Sequence, residues 1–220
     1  MGYSTDDTCM SASANTIKPK NKGSKVLFSN PILERLSRTN TAIPVSIFLS
    51  FSAFLMVWGY LYSQYSALNQ TVVFLVGLLL FGLVEYLVHR YVFHMITNTK
   101  LKERIQYAFH GVHHEFPKDT SRLAMPPVIS VVIVTVLFFL CKWAMGDYTF
   151  GFLPGFITGY SLYLIVHYVV HAYQPPKNFL RALWINHGIH HYKDHERAFG
   201  VSSPLWDYVF RTTPKKSKSH

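Results

Sequence analysis

Residues 71–94 read TVVFLVGLLLFGLVEYLVHRYVFH. The run from Thr71 to Val88 is close to the length that a helix, rising about 1.5 Å per residue, needs to cross the hydrocarbon core of a bilayer. It leads directly into two histidines, His89 and His94. Ionisable groups at a membrane are costly, and one kept there despite the cost is functional by default. A span that ends in histidines is the unit from which the rest of the chain is read.

Three more runs of this kind flank it. Ala42–Tyr62 reads AIPVSIFLSFSAFLMVWGYLY, Pro127–Met145 reads PVISVVIVTVLFFLCKWAM, and the run from Phe152 to His171 reads FLPGFITGYSLYLIVHYVVH, with two histidines near its end. Half of the 220 residues are hydrophobic, and they are bunched into these runs, which is a membrane pattern rather than a globular one. The expected fold is an all-α integral membrane protein. Four transmembrane helices, at about 42–62, 71–88, 127–145 and 152–171, pair into two hairpins, and a cytosolic helical cap carries a histidine-rich dimetal site. Residues 1–41 are expected to be a polar cytosolic tail, 42–214 the membrane domain and 215–220 a basic C-terminal tail. No apolar stretch precedes Ala42, so no cleavable signal peptide is expected. Within the tail, NPILERLSR at 30–38 predicts a short helix with Asn30 as N-cap and Pro31 at its first position. Residues 98–115 and 176–195 are expected to be helical connections near the membrane surface.

A net charge of +10 and a pI near 9.6 would suit a nucleic-acid binder, so the placement of the charge has to decide. Lys18, Lys20, Lys22, Lys25, Arg35 and Arg38 precede the first span, and Arg90, Lys100, Lys102, Arg104, Lys118 and Arg122 lie between the second and third. Those after the fourth begin at Lys177, and Lys142 alone lies elsewhere. The positive-inside rule then puts both termini and that face of the protein in the cytosol. It leaves a nucleic-acid role with nothing to explain. Two cysteines, Cys9 in the polar tail and Cys141 in an apolar run, make no disulfide framework.

Metal chemistry must therefore come from histidine. Of twelve histidines, all but His195 and His220 fall into four clusters: His89 and His94; His110, His113 and His114 in HGVHH; His167 and His171 in HYVVH; and His187, His190 and His191 in HGIHH. On a helix, positions i, i+3 and i+4 lie within about 100° of one another, so each HxxHH presents three imidazoles on one face. His167 and His171 form an i, i+4 chelating pair. His89 and His94 are about 140° apart on an ideal helix, so they need a helix end or break between them, or they serve different metals. A lone buried histidine is usually a satisfied core residue. Four clusters at or beyond one end of the spans are not explained that way.

Ten imidazoles exceed what one metal takes and suit two ions at four or five each. Neutral imidazole binds Fe, Zn, Cu or Ni, so ligand type alone does not choose the metal. A catalytic zinc typically has three protein ligands, which argues against a simple zinc hydrolase. A redox pair beside lipid points to oxygen activation and attack on C–H bonds. Glu85, one turn before His89, is placed to accept the second ring N–H of that histidine or to serve as a helix-end acid. Asp119 and Arg122 fit an ion pair ordering the loop after the second cluster, and His195 a solvated histidine or one lying behind the ligands. Tyr160, Tyr163, Tyr168 and Tyr173 read as packing or interface anchors.

The strings EYLVHRYVFH, HGVHHEFPKDTSRLAMPP, HYVVHAYQP and HGIHHYKDHERAFGVSSPLWDYVF resemble the fatty acid hydroxylase and sterol desaturase superfamily. The likeness runs from about Glu85 to Pro214. The continuation of the second histidine motif through Pro117, Asp119, Arg122, Leu123, Pro126 and Pro127 is similar to the fatty acid 2-hydroxylases rather than to the sterol enzymes. The resemblance implies that the ten clustered histidines ligate two iron ions, with zinc an alternative occupant in purified protein and O2 as co-substrate. It implies hydroxylation at C2 of a long acyl chain, free or in a ceramide. Eukaryotic members often carry a cytochrome b5 domain, for which the 41-residue tail is too short, so a separate donor of cytochrome b5 or ferredoxin type is expected. The rival outcomes are another oxygenase of the superfamily, acting on sterols, carotenoids or lipid desaturation, and a metal transporter. Against transport, the first and third spans carry neither histidine nor acid. Small size favours a bacterial inner membrane, whereas Lys216 and Lys218 in KSKSH match a dilysine signal of the endoplasmic reticulum membrane.

Overall fold

The apolar runs are helical. The structure is a computed structural model and describes residues 17–215, so Cys9, Lys216, Lys218 and His220 lie outside the described residues. Along them follow α1 (Pro31–Leu36), α2 (Ala42–Tyr62), α3 (Ala67–Val88), α4 (Lys100–Gln106), α5 (Val112–Glu115), α6 (Pro127–Met145), α7 (Thr149–Ala172), α8 (Arg181–Tyr192) and α9 (Leu205–Val209). No strand occurs among the described residues.

Among the described residues, three stretches are long and apolar enough to cross a membrane: Ala42–Tyr62, Ala67–Phe93 and Thr120–Ala172. The last contains both α6 and α7, separated by a turn at Gly146–Tyr148. Gly146 has φ 58°, a left-handed conformation that ends a helix and that a side chain disfavours. Lys142 and Asp147 pair across this turn. Two helices start earlier than their apolar runs. The Ser66 hydroxyl caps α3 by accepting the Asn69 N–H at 3.2 Å, so a polar turn precedes Thr71, and α7 begins at Thr149, directly after the Gly146 turn.

α7 is the central helix, packed most extensively against α3 and then α2. Between α3 and α7 the backbones touch. A Cβ on Gly155 would lie 1.9 Å from the Phe74 carbonyl oxygen, and one on Gly77 would lie 2.1 Å from that of Phe152. Helices in lipid associate through such small-residue contacts because no hydrophobic force drives them together. Phe48, Leu55, Val134, Phe150, Leu153 and Ile157 form the buried cluster among α2, α6 and α7. Within it, the Ser52 hydroxyl donates to the Pro154 carbonyl at 3.0 Å.

The short helices collect where α3 and α7 end in histidines. Residues 89–93 and 107–111 are π-helical, and the first of these segments extends α3. The amino-terminal segment lies across the loop at 115–122. The Lys20 N–H donates to the Glu115 carbonyl at 2.6 Å, and the Thr39 N–H to that of Ser121 at 2.8 Å. α1 starts as read from the sequence, with the Asn30 side chain accepting from Ile32 and Leu33 at 2.9 and 3.3 Å.

Candidate metal centre

The structure gathers all ten clustered histidines into two groups of five. His89, His94, His110, His114 and His190 form one; His113, His167, His171, His187 and His191 form the other. In each group, ring nitrogens lie within 4.8 Å of one another. The two HxxHH motifs are each divided. His110 and His114 go to the first group and His113 to the second, while His187 and His191 go to the second and His190 to the first. A motif that presents one face in the sequence thus serves two centres, because i and i+4 lie about 40° apart around a helix while i+3 falls about 60° to the other side of i.

His89 and His94 share a group because the helix widens between them. The His94 N–H donates to the His89 carbonyl at 3.2 Å, an i to i+5 bond that fits five residues into one turn. Such π-turns are frequent at functional sites.

Hydrogen bonding alone cannot satisfy the second group. Nε2 to Nε2 separations run from His171 to His187 at 2.8 Å, His187 to His191 at 3.1 Å, His191 to His113 at 3.1 Å and His113 to His167 at 3.0 Å. A neutral imidazole nitrogen carries one hydrogen or one lone pair. It can complete one such bond, yet His113, His187 and His191 each face two neighbours. Two nitrogens at right angles about a shared ion, each about 2.1 Å from it, would be about 3.0 Å apart. The donor set fits a metal ion. In the first group, His110 Nε2 lies 3.1 Å from that of His89 and 2.9 Å from that of His114, while His94 Nδ1, His94 Nε2 and His190 Nε2 are buried without a partner.

Burial sets the protonation state. Desolvation pushes His94 down to about 2, with His190 and His195 adding to the effect, and pushes His110, His113, His114, His187, His190 and His191 well below the usual imidazole range. All are therefore neutral at pH 7, the form that binds metal.

A loop at 197–202 orients two of the rings. His89 Nδ1–H donates to the Phe199 carbonyl at 2.6 Å and His190 Nδ1–H to that of Arg197 at 2.8 Å. A carbonyl only accepts, so both rings turn an unprotonated Nε2 inward. Of the two roles open to Glu85 from the sequence, acceptor of the His89 ring N–H or helix-end acid, the first is taken by the Phe199 carbonyl. The buried Glu85 carboxylate accepts the N–H groups of Val201 and Ser202 at 2.7 and 2.9 Å and the Ser202 hydroxyl. It reaches His89 through this loop, whose Phe199 carbonyl accepts the ring N–H.

Asp207, which the sequence did not single out, braces the same loop. Its buried carboxylate accepts from the N–H groups of Phe199 and Gly200 at 2.9 and 2.8 Å and from the Thr212 hydroxyl at 2.7 Å. Nothing local distinguishes this acid in LWDYV, because its partners are brought to it by the loop. Asp119 and Arg122 are 3.8 Å apart but face the amino-terminal segment, not the histidines. Asp119 accepts from Ser24 and Ser121, while Arg122 pairs with Glu34. His195 is half-buried beside the first group, its ring centroid 5.1 Å from that of His114.

An apolar cavity of about 550 Å³ opens onto His89 and His110 of one group and His113 and His167 of the other. Phe81, Val84, Ile129, Tyr160, Tyr163 and Leu164 line its helical side. Tyr160 and Tyr163 thus border a void as well as packing, and Tyr163 stacks on His167 with centroids 5.3 Å apart. Tyr168 and Tyr173 pair with each other and are not among the lining residues.

The profile of the fatty acid hydroxylase family matches residues 74–212. A Homo sapiens fatty acid 2-hydroxylase is 38% identical over 152 residues, covering 65% of this chain and 40% of that protein. A Schizosaccharomyces pombe ceramide very long chain fatty acid hydroxylase is 34% identical over 200 residues, covering 88% of this chain and 56% of its own. A solved structure of full-length Scs7p, in which only the hydroxylase domain is visible, matches with a TM-score of 0.79 and 31% identity over 88% of this chain and 74% of that one. The chain therefore spans about two fifths of the length of the mammalian relative and just over half that of the fungal one.

Proposed function

The chain belongs to the fatty acid hydroxylase family, and from that premise we propose that it is a membrane-embedded, O2-dependent di-iron enzyme that hydroxylates C2 of a long acyl chain, free or amide-linked in a ceramide. One observation carries the reading: the apolar cavity reaches both histidine groups, so a hydrocarbon chain lying in it brings a C–H bond to the centre. The 2-position and the lipid class are supported by the names of the relatives, which are fatty acid and ceramide hydroxylases.

The ten histidines would hold two iron ions, five imidazoles to each. Iron bound there supplies the activation of O2 needed to break a C–H bond. Overall, one oxygen atom enters the C–H bond and the other leaves as water, with two electrons supplied one at a time by a redox donor of cytochrome b5 or ferredoxin type and two protons supplied by water. The residues of the chain do the rest. The Phe199 and Arg197 carbonyls fix His89 and His190 in the tautomer that faces inward. Phe81, Val84 and Leu164 exclude water from the acyl chain, which limits loss of oxidant to solvent. In this reading α2, α3, α6 and α7 each cross the bilayer, with the histidine-bearing ends and the basic segments in the cytosol.

Lipid analysis of cells that lack their own 2-hydroxylase and express this protein tests the proposal. New 2-hydroxy acyl chains that require O2 and iron are expected. A protein fully loaded with iron that yields none would overturn it.

A further inference from the structure

The family profile begins at residue 74, yet one wall of the cavity comes from far upstream. Leu27, Phe28, Leu33 and Leu36 line it, and Leu33 and Leu36 leave 50% and 52% of their surface uncovered. We propose that the strap Lys20–Arg38 is the selectivity wall of the acyl site, its four apolar side chains setting which chain lengths fit. The inference rests on the reading of the cavity as an acyl site.

The strap has no apolar core of its own to hold it, and a polar latch does so instead. The Glu34 carboxylate accepts the N–H groups of Leu27 and Phe28 at 2.9 and 3.2 Å, folding the two halves of the strap together. It also pairs with Arg38 at 2.9 Å and with Arg122, whose side chain is only 3% exposed. Arg122 in turn donates to the Lys25 carbonyl at 2.7 Å and the Ser37 hydroxyl at 2.9 Å. A buried guanidinium with fixed planar donors holds a segment in register better than a flexible ammonium would. Further along, Tyr192 donates to the Asn21 side chain at 2.7 Å, tying the strap to the histidine-bearing α8. All these contacts fix backbone and polar groups, which leaves the apolar side chains at 27, 28, 33 and 36 free to be chosen for the shape of the void.

The test measures binding apart from catalysis. Full-length protein with its metal, in lipid nanodiscs, is loaded with a fluorescent long-chain fatty acid, which saturated fatty acids of graded length displace. Leu33→Trp is expected to shift the preference to shorter chains and Phe28→Ala to longer ones. Each methylene excluded lowers relative affinity about fourfold, equivalent to about 0.8 kcal/mol. Metal content and monodispersity certify each variant, and Leu33→Phe replaces Leu33→Trp should the latter not fold. An unchanged order of preference, or an equal loss of affinity at every length, overturns the proposal, since a strap with a merely structural role would weaken all chains alike. If the preference moves while no 2-hydroxy lipid is ever made, the inference stands and the assigned reaction falls.

Discussion

Replacing Asp207 by Ala should weaken one metal site and spare the other. The carboxylate is 1% exposed and receives the N–H groups of Phe199 and Gly200 and the Thr212 hydroxyl. Removing it leaves two buried backbone N–H groups without an acceptor, at about 1–3 kcal/mol each. The loop 197–201 can recover that loss by moving towards water. Its Phe199 and Arg197 carbonyls then leave His89 and His190, and both of those rings belong to the first group. Loss of such an outer hydrogen bond typically costs 10 to 100-fold in metal affinity. No ring of the second group is hydrogen-bonded to this loop. Metal retained per chain, followed as a chelator is titrated in, should therefore fall in two steps, with one ion leaving at chelator concentrations about tenfold or more below those needed for the other. Asp207→Asn, which keeps one acceptor oxygen, should fall between. Loss of both ions together, or a titration identical to that of the unaltered protein, would refute the argument that the loop orients one site only.

Three further outcomes follow from the same geometry. His190→Ala and His191→Ala, neighbours in one motif, should deplete different sites, so each retains about one ion and their absorption spectra with cobalt substituted should differ; identical spectra would contradict the division of the motif. Gly155→Ala sets a Cβ 1.9 Å from the Phe74 carbonyl oxygen, and overpacking of this kind costs about 1–3 kcal/mol, read as a lowered midpoint of thermal aggregation in detergent. For Glu34, burial raises the carboxyl, but the Leu27 and Phe28 N–H groups, Arg38 and Arg122 outweigh it and hold it below its ordinary 4.5. A depressed carboxyl contributes stability above its unfolded value and loses it as pH falls through the folded one. Limited proteolysis within 20–38 should therefore be slow at neutral pH and accelerate below about pH 4.5, with Glu34→Gln already susceptible at pH 7.

What the sequence disclosed was whatever depends on short-range pattern. The ends of α2 and α6 coincide with the apolar runs at 42–62 and 127–145, because the side chains there meet lipid or a core with little tertiary choice. Asn30 and Pro31 mark the start of α1 for the same reason, since a cap is satisfied within three residues. The gathering of ten histidines could be anticipated from spacing and from the positions of the span ends. Four features could not. The π-turn at 89–93 has no compositional signature, and an ideal helix put His89 and His94 on different faces. The division of each HxxHH depends on what lies opposite it. The strap and the brace at Asp207 rest on contacts such as Glu34 with Arg122, between residues that no local pattern links.

That division bears on how α5 and α8 are held to the long helices. Each group draws on both HxxHH segments, α5 with its π-turn and α8, but only one of the long helices. The first group adds His89 and His94 from the end of α3, and the second adds His167 and His171 from α7. An ion in the first group would therefore tie α5 and α8 to α3, and an ion in the second would tie the same two segments to α7. α8 makes few other contacts with the long helices. Metal binding supplies folding free energy when a site spans segments with little else to join them. Either ion would join α5 and α8 to a long helix, so α8 should acquire protection from hydrogen exchange only once metal is added. Equal protection of α8 with and without metal would show instead that protein contacts alone hold it in place.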